Sequence, residues 1–188
     1  MSRGLLIIAT GAANILRLPD ILSQLRNASA GTQFNLLITE GAERLIQHQM
    51  LSVFADKVYL ESDPEVHFRP GHIGLALDHE AVIVLPSTAQ TLAAAAHGLC
   101  TRLAGEVILA HGNPVVFFPT MNRHMWESTP TRRNVEQLRA DGHIVIEPTQ
   151  VVSYETATGQ TRVNPGLLPS SEIVSIILQQ LESALERS

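Results

Sequence analysis

The chemistry-bearing residues of this sequence are concentrated in the stretch FPTMNRHMW at positions 118–126. This stretch holds the only tryptophan of the chain and two of its four methionines, together with an asparagine and a histidine. It directly follows an apolar run, and a buried strand seldom ends in such a set of side chains. An amide, a flexible thioether and an indole directly after a strand therefore need a chemical explanation. That explanation depends on the helices and strands that position these side chains.

Short apolar segments alternate with segments of helical periodicity along the chain. We predict strands at 5–9, 34–38, 81–85, 115–118 and 143–146. We predict helices at 14–26, 91–103, 131–140 and 172–187. Strands that are apolar on both faces and separated by helices favour an α/β fold with a parallel sheet covered on both sides. With 188 residues, 45% of them apolar, the chain is expected to form one domain over 1–188.

The turns that follow four of these strands are rich in small and hydroxyl residues. In a parallel sheet, ligands bind where the carboxyl ends of the strands face the next helices, so these turns should share one rim. They contain little Lys or Arg, which favours a phosphate held by backbone N–H groups, hydroxyls and helix dipoles. No P-loop or G-x-G-x-x-G is present, so a mononucleotide is favoured, while ordinary capped turns remain the alternative. The turns are 10–13, 39–42, 86–91 and 119–122.

Composition argues against several classes of protein. The net charge of −5 and the lack of a basic cluster argue against a nucleic-acid partner. No apolar run approaches the roughly 18 residues of a membrane span, and the N-terminal run is too short for a signal peptide. The single cysteine, Cys100, excludes an intrachain disulfide, and we expect it to lie buried in the Ala-rich helix. A cytoplasmic protein is predicted.

No spacing of Cys, His or carboxylates resembles a zinc or iron site, so no metal is expected.

The composition changes at 147–169 to Thr, Ser, Gly, Gln and Pro with little helical periodicity. Val151, Val152 and Tyr154 precede a turn near Thr158 and Gly159. We predict a hairpin or flap in this segment.

Three blocks of the sequence, taken in order, resemble the homo-oligomeric flavin-containing cysteine decarboxylases. His72 lies in an H-I-x-L segment, PSTAQT at 86–91 is similar to the family's P-A-S-A-N-T loop, and PTMNRHMW at 119–126 matches P-x-M-N-x-x-M-W in full. Thr88 stands for the family's Ser and Gln90 for its Asn, and both changes keep the type of hydrogen bonding. The resemblance runs from the first turn to at least Trp126.

This resemblance implies a single-domain Rossmann-like, flavodoxin-like parallel sheet with helices on both faces, and FMN as the cofactor. His72 corresponds to the catalytic histidine, and Asn122 to the asparagine that holds the substrate carboxylate. Met125 would help to shape the loop around the substrate thiol. The FMN-binding positions implied are Gly11, Ala12, Ala13, Thr39, Thr88, Ala89, Gln90, Thr91 and Thr120.

The family chemistry explains the opening stretch. Oxidation of the Cβ–S bond of a cysteine to a thioaldehyde creates an electron sink beta to the carboxylate, and a flavin can take the hydride. Loss of CO2 then gives an enethiolate. Asn122 would fix the carboxylate, and His72 would orient or deprotonate the substrate.

The branches of the family differ in one cysteine. Phosphopantothenoylcysteine decarboxylases reduce the enethiol and carry a Cys in an A-C-G-like stretch beyond P-x-M-N, whereas peptidyl-cysteine decarboxylases lack it. No cysteine follows Cys100 here. The resemblance thus predicts FMN-dependent oxidative decarboxylation of the C-terminal cysteine of a ribosomal precursor peptide, as in epidermin-type and mersacidin-type enzymes, giving an aminoenethiol for an aminovinyl-cysteine ring. The alternatives are the decarboxylase of coenzyme A biosynthesis and a non-catalytic flavin-fold regulatory subunit, which usually carries long acidic extensions.

The resemblance also implies partners. In the family FMN lies between the subunits of a homotrimer, and trimers can pack into dodecamers, so His72 would serve a neighbour's flavin. The apolar pair Val53 and Phe54 is predicted to be exposed and available for such contacts. The flap at 147–169 would clamp the C-terminus of the precursor peptide through its backbone.

Overall fold

The computed structural model describes residues 4–155 and 159–187. Within these residues the strands are β1 (Gly4–Ala9), β2 (Gln33–Ile38), β3 (Lys57–Leu60), β4 (Ala81–Ser87), β5 (Val116–Pro119), β6 (Ile144–Val145), β7 (Thr149–Glu155) and β8 (Gln160–Gly166). The helices are α1 (Leu18–Ala28), α2 (Glu40–Glu43), α3 (His48–Leu51), α4 (Pro64–Phe68), α5 (Gly71–Leu77), α6 (Ala89–Ala96), α7 (Leu103–Ala110), α8 (Arg123–Trp126), α9 (Thr129–Ala140) and α10 (Ser170–Arg187). A 3-10 turn, Ala13–Arg17, precedes α1.

Strands β1 to β6 form one parallel sheet in the order β3-β2-β1-β4-β5-β6. The chain moves outward from β1 to β3 on one side, then returns to β4 beside β1 and continues outward on the other side. The turns after β1 and β4 therefore diverge at a topological switch point, where α/β proteins bind ligands.

The sheet is apolar on both faces because each face is covered by helices. In β1, Leu5 and Ile7 pack with buried residues of α1 and α10, while Leu6 and Ile8 face the layer that contains α5, α6, α7 and α9. Each fully buried Leu or Ile stabilises the fold by about 1.5–3 kcal/mol relative to exposure. The predicted Rossmann-like parallel sheet with helices on both faces is confirmed.

The predicted helix at 91–103 is wrong. It is divided into α6 and α7 because the chain turns at Gly98, whose φ of +60° suits glycine and ends the helix. Cys100 consequently lies in the connection between the two helices, where it is partly exposed and not buried in a helix as expected. The predicted helix at 14–26 begins as the 3-10 turn and becomes α-helical only at Leu18.

Several elements escape the sequence pattern. The edge strand β3 has four residues, none of them fully buried, so it lacks the apolar run that marks the other strands. The predicted strand at 143–146 is reduced to Ile144 and Val145. Of the apolar pair predicted to be exposed, Val53 is 75% exposed, but Phe54 packs partly against the core.

The predicted hairpin forms from β7 and β8, which pair antiparallel from Thr149 opposite Gly166 onward. The position of Gly166 requires glycine, because a Cβ there would collide with the side chain of Val151. Thr158 of the predicted turn lies outside the described residues, and Gly159 has a φ of +66°. Among the helices that the structure describes, none combines the length and the apolar character needed to cross a bilayer.

Candidate cofactor and substrate site

The turns after β1, β2, β4 and β5 meet at the carboxyl edge of the sheet through direct hydrogen bonds. Thr10 Oγ1 donates to Pro86 O at 2.7 Å and accepts from Thr88 N at 3.1 Å. Thr39 N donates to Ala9 O at 3.0 Å, and Thr120 N donates to Ser87 O at 2.9 Å. The prediction that the four turns share one rim is confirmed.

Glycine at position 11 allows two of these turns to touch. A Cβ on Gly11 would lie 2.8 Å from the backbone carbonyl carbon of Gly41, closer than real Cβ contacts. Backbone therefore packs on backbone here, which forms a shallow cradle of main-chain groups suited to an anion.

A first cavity of about 290 Å³ opens beside this cradle. Its wall carries Arg44 and Arg102 together with the carboxylates Glu40 and Glu61, so the formal charges of these side chains balance. Thr88 caps α6 at the cavity, because its Oγ1 accepts a hydrogen bond from Thr91 N at 3.2 Å. The predicted FMN-binding residues that line this cavity are Gly11, Thr39, Thr88, Gln90 and Thr91.

A second cavity, of about 480 Å³, shares Gly11 and Thr88 with the first, so the two lie side by side. Its far wall is the hairpin, through Ser153, Tyr154 and Asn164. Of the predicted site residues, it is lined by Gly11, Ala12, Ala13, Thr88, Ala89, Thr120, Asn122 and Met125.

Asn122 has a fixed orientation in the second cavity. It is the N-cap of α8, and its Oδ1 accepts a hydrogen bond from Met125 N at 2.9 Å. With the oxygen so engaged, the NH2 end of the amide is left to donate to an acceptor. The neighbouring Met125 is 45% exposed, so a thioether lies at the surface beside this donor.

Two buried hydroxyls on this rim have no hydrogen-bond partner within the described chain. They are Ser87 Oγ, on a fully buried residue, and Thr120 Oγ1, on a residue that lines the second cavity but is only 5% exposed. Buried polar atoms without partners are rare in folded proteins. Neither oxygen is accessible from the cavities, so the fit to a polar, phosphate-bearing ligand such as FMN depends on the cradle at Gly11 and on the hydroxyl residues Thr39 and Thr88 that line the first cavity.

His72 is not brought together with the other predicted residues. It lies on α5 and lines neither cavity, and its side chain is 44% exposed. Its Nδ1 is 3.4 Å from Oε2 of Glu106 on α7. Within the described residues of one chain, the predicted FMN and carboxylate positions thus form one site, and the predicted catalytic histidine lies apart from it.

The sequence analysis did not identify the charged side chains that line the first cavity and connect its helices. Glu61, only 3% exposed, accepts hydrogen bonds from Glu40 N at 3.2 Å and Ala104 N at 3.1 Å, so it joins the starts of α2 and α7. Across the same cavity Arg102 pairs with Glu40 at 2.6 Å. Glu61 directly follows β3, and the failure to predict that strand hid its position. In the part of the chain that the structure describes, no three His, Cys, Asp or Glu side chains cluster so as to hold a metal ion.

A parallel α/β sheet with a polar, small-residue cleft at its switch point defines a class of protein, the Rossmann-like nucleotide-cofactor binders. Comparison with known families makes the assignment specific. Residues 1–182 match the Flavoprotein family, and the chain belongs to it.

Three comparisons show where its similarities lie. The chain is 38% identical over 145 residues to mersacidin decarboxylase of Bacillus sp. (strain HIL-Y85/54728), covering 77% of this chain and 74% of that protein. It is similar to a solved structure of an EpiD variant complexed with the substrate peptide DSYTC, with a TM-score of 0.83, 25% identity and coverage of 95% of this chain and 99% of that one. The FMN-dependent cysteine decarboxylase SpaF gives a TM-score of 0.76 at 28% identity, covering 95% and 97%.

Proposed function

We propose that this chain is an FMN-dependent peptidyl-cysteine decarboxylase that oxidatively decarboxylates the C-terminal cysteine of a ribosomal precursor peptide. The observation that carries the proposal is the fixed amide of Asn122 in the wall of the second cavity. A free α-carboxylate is the acceptor that distinguishes the end of a peptide from its interior. The similarity to an EpiD variant complexed with a peptide that ends in cysteine supports this reading.

The FMN would be held by the cradle and the hydroxyls of the rim. Backbone groups at Gly11 and Gly41, with the hydroxyls of Thr39 and Thr88, suit the phosphate, and Arg44 in the same wall would balance part of its charge. Thr120 lies in the wall of the second cavity, where it would contact the ligand. When bound, FMN supplies the acceptor for the hydride removed from the cysteine, and this oxidation makes loss of CO2 from the adjacent carboxylate possible.

Asn122 would hold the substrate carboxylate by its NH2 group, because its oxygen already serves α8. This contact fixes which carboxylate is lost and aligns the cysteine side chain towards Met125. Since the side chain of Asn122 is held as the N-cap of α8, little side-chain entropy remains to be lost on binding. The carboxylate therefore meets a preorganised donor.

The hairpin is proposed to act as the substrate flap predicted at 147–169. Ser153, Tyr154 and Asn164 line the second cavity, and Asn164 Nδ2 donates to Ser153 Oγ at 3.1 Å, which stiffens the pair of strands. The side chain of Tyr154 is 67% exposed in the single chain and would cover a bound peptide and exclude water.

The separation of His72 from the cavities is explained if the enzyme is a homotrimer in which His72 serves the neighbour's flavin. Exposed apolar side chains close to His72 favour such a contact. Leu77 on α5 is 68% exposed, Leu109 on α7 is 64% exposed, and Phe68 at the end of α4 is 87% exposed. Trimers of this kind would be the unit of a dodecamer. Ribosomal precursor peptides are made in the cytoplasm, where the enzyme is proposed to act.

The test is incubation of the purified flavoprotein with a synthetic peptide ending in cysteine, followed by mass spectrometry. The expected product has lost CO2 and two hydrogens, while the same peptide ending in serine is unchanged. Loss of CO2 alone would mean that the intermediate is reduced, as in the phosphopantothenoylcysteine branch, and phosphopantothenoylcysteine should then be tested as substrate. A flavoprotein inert towards both substrates would instead support the regulatory subunit.

A further inference from the structure

His72 has a carboxylate neighbour within its own chain. Nδ1 of His72 lies 3.4 Å from Oε2 of Glu106, within ion-pair range but longer than a good hydrogen bond. Contacts of this kind are often long before substrate binds and shorten in the working complex. Both side chains are partly covered, with 44% of His72 and 35% of Glu106 exposed.

The pairing follows from how α5 and α7 pack. His72 lies one helical turn before Leu75 and Ala76, which are buried against α7 and turn the same face of α5 towards it. On α7, Glu106 lies between the buried residues Leu103 and Val107. Both partners are therefore carried by helices whose core contacts fix their backbones, and the spacing between the two side chains is built into the fold.

We propose that Glu106 is a positioning residue for His72, an inference that rests on the proposed role of His72 in decarboxylation. An ionised carboxylate only accepts hydrogen bonds, so the imidazole nitrogen that faces it must carry the hydrogen. Glu106 thereby selects the Nδ1–H form of neutral His72 and turns Nε2, with its lone pair, away from α7. Nε2 is then the atom that can meet a substrate.

This arrangement defines a single proton movement. Nε2 takes the proton of the substrate thiol, so an S–H bond breaks and an N–H bond forms. The Nδ1–H bond stays intact, and the carboxylate of Glu106 lies beside the positive imidazolium that results. No electrons are exchanged in this step, and Glu106 itself does not change its protonation.

Two substitutions separate the parts of this role. Glu106→Gln keeps an oxygen that can accept from Nδ1–H but removes the charge, whereas Glu106→Ala removes both. We expect kcat to fall about 10- to 100-fold in Glu106→Ala, the range found for residues that orient a site side chain, with a smaller loss in Glu106→Gln. KM for the peptide should change little, because Glu106 would act on the substrate only through His72. A change in KM with kcat unaltered would overturn the proposal.

The second measurement does not depend on turnover. In FMN-loaded protein labelled with 15N-histidine, the ring nitrogens of His72 should show the Nδ1–H form in the wild type and in Glu106→Gln, and a shift towards Nε2–H in Glu106→Ala. His72→Asn assigns the signals, and Glu182→Gln, on the exposed side of α10, is the matched control. If His72 keeps the Nδ1–H form in Glu106→Ala, the proposal is overturned, even if kcat of that variant is lowered.

The two proposals fail in different ways. If the wild type does not process cysteine peptides but the tautomer responds to Glu106→Ala, the proposed function is wrong and the positioning of His72 by Glu106 stands. If the wild type is active and neither kcat nor the tautomer responds, the function stands and Glu106 has no positioning role. Glu106→Leu, which keeps the bulk of the side chain but has no acceptor, should show the same tautomer shift and replaces Glu106→Ala if that variant does not fold.

Discussion

The two edges of the parallel sheet both carry buried polar residues and a cavity, but they use them differently. At the amino edge, a cavity of about 330 Å³ is lined by Asn35 and His79, which bond to each other at 2.8 Å. His79 also bonds through Nδ1 to Leu75 O at 2.8 Å. At the carboxyl edge, the hydroxyls of Ser87 and Thr120 have no partner in the described chain.

Neither cavity size nor an unpartnered polar atom distinguishes the two edges, because Asn35 Oδ1 at the amino edge also lacks a partner in the described chain. The edges differ in what their polar groups are bonded to and in the backbone that surrounds them. At the amino edge the side chains tie β2 to the last turn of α5, so their hydrogen bonds stabilise the fold. At the carboxyl edge comparable groups surround backbone that lacks side chains at Gly11 and Gly41. We therefore expect substitutions at the carboxyl edge to change ligand binding and turnover, and those at the amino edge to change stability.

The largest effect is expected from Asn122→Asp. A second carboxylate would repel the substrate carboxylate in place of donating to it, so turnover of a cysteine peptide should fall on the order of 1,000-fold, as when a preorganised donor is lost. The N-cap oxygen for Met125 N is kept, so the fold and the flavin absorbance should be unchanged. The measurement is the rate of peptide decarboxylation at saturating flavin.

The matched control for Asn122→Asp comes from the other edge. Asn113 Nδ2 donates to Glu80 O at 3.2 Å, and Asn113→Asp should leave turnover nearly intact. If both variants lose turnover alike, the distinction between the edges fails.

The next effect concerns FMN affinity in Gly11→Ala. A Cβ at this position would lie 2.8 Å from the Gly41 backbone and would push the two turns apart. We expect the FMN dissociation constant to rise at least tenfold, equivalent to about 1.4 kcal/mol. Flavin fluorescence during titration of apoprotein measures this. Gly31→Ala, at a position with nothing within 4 Å of the added Cβ, is the control and should bind FMN as the wild type does.

The carboxyl edge could be predicted from the sequence because its signals are local. Each buried strand is a short apolar run, and each turn after it carries small or hydroxyl residues, so the rim follows once the sheet is taken as parallel. The N-cap role of Asn122 is also local, since its hydrogen bond joins residues only three positions apart in the sequence.

What could not be predicted depends on contacts between distant segments. Glu61 bonds to Glu40 and Ala104, which lie far apart in the sequence, and it follows an edge strand too short and too exposed to show a pattern. The contact of His72 with Glu106 likewise exists only because α5 packs on α7. The break between α6 and α7 depends on a single residue, Gly98, inside a run of helix formers.

A smaller effect on ligand binding and turnover is expected at the amino edge, from His79→Leu, whose main consequence should be a loss of stability. The variant removes both hydrogen bonds of a side chain that is 6% exposed and leaves Asn35 and Leu75 O without their partner. Unpaired buried polar groups cost about 1–3 kcal/mol each, so the free energy of unfolding should fall by a few kcal/mol. Urea denaturation of the apoprotein measures it. FMN affinity should be unchanged in the folded variant, and a loss of flavin binding equal to that of Gly11→Ala would contradict the comparison.

The smallest effect is the pH dependence of stability at the same edge. Burial lowers the pKa of His79 below its ordinary value of 6.5, against the raising effect of its bond to Leu75 O. Burial likewise lowers the pKa of His111 and of His143. Between each lowered pKa and 6.5 the unfolded chain binds more protons than the folded one, so the free energy of unfolding should fall as the pH drops below 6.5 and level off below the folded-state pKa.

His79→Gln isolates the contribution of one histidine to this slope. Removing one titrating group should reduce the slope by at most about 1.4 kcal/mol per pH unit, while the contributions of His111 and His143 remain. Asp20→Asn is the control, because hydrogen bonds from Ser170 and Gln24 lower the pKa of Asp20 below its ordinary value of 3.8. Its stabilising effect is present above 3.8 and is lost only as the pH falls further, so this variant should leave the slope near pH 6 intact. Urea midpoints measured at several pH values for the three proteins decide the matter. An identical slope in the wild type and His79→Gln would mean that His79 titrates alike in the folded and unfolded chain, and that the amino edge does not bury a neutral histidine.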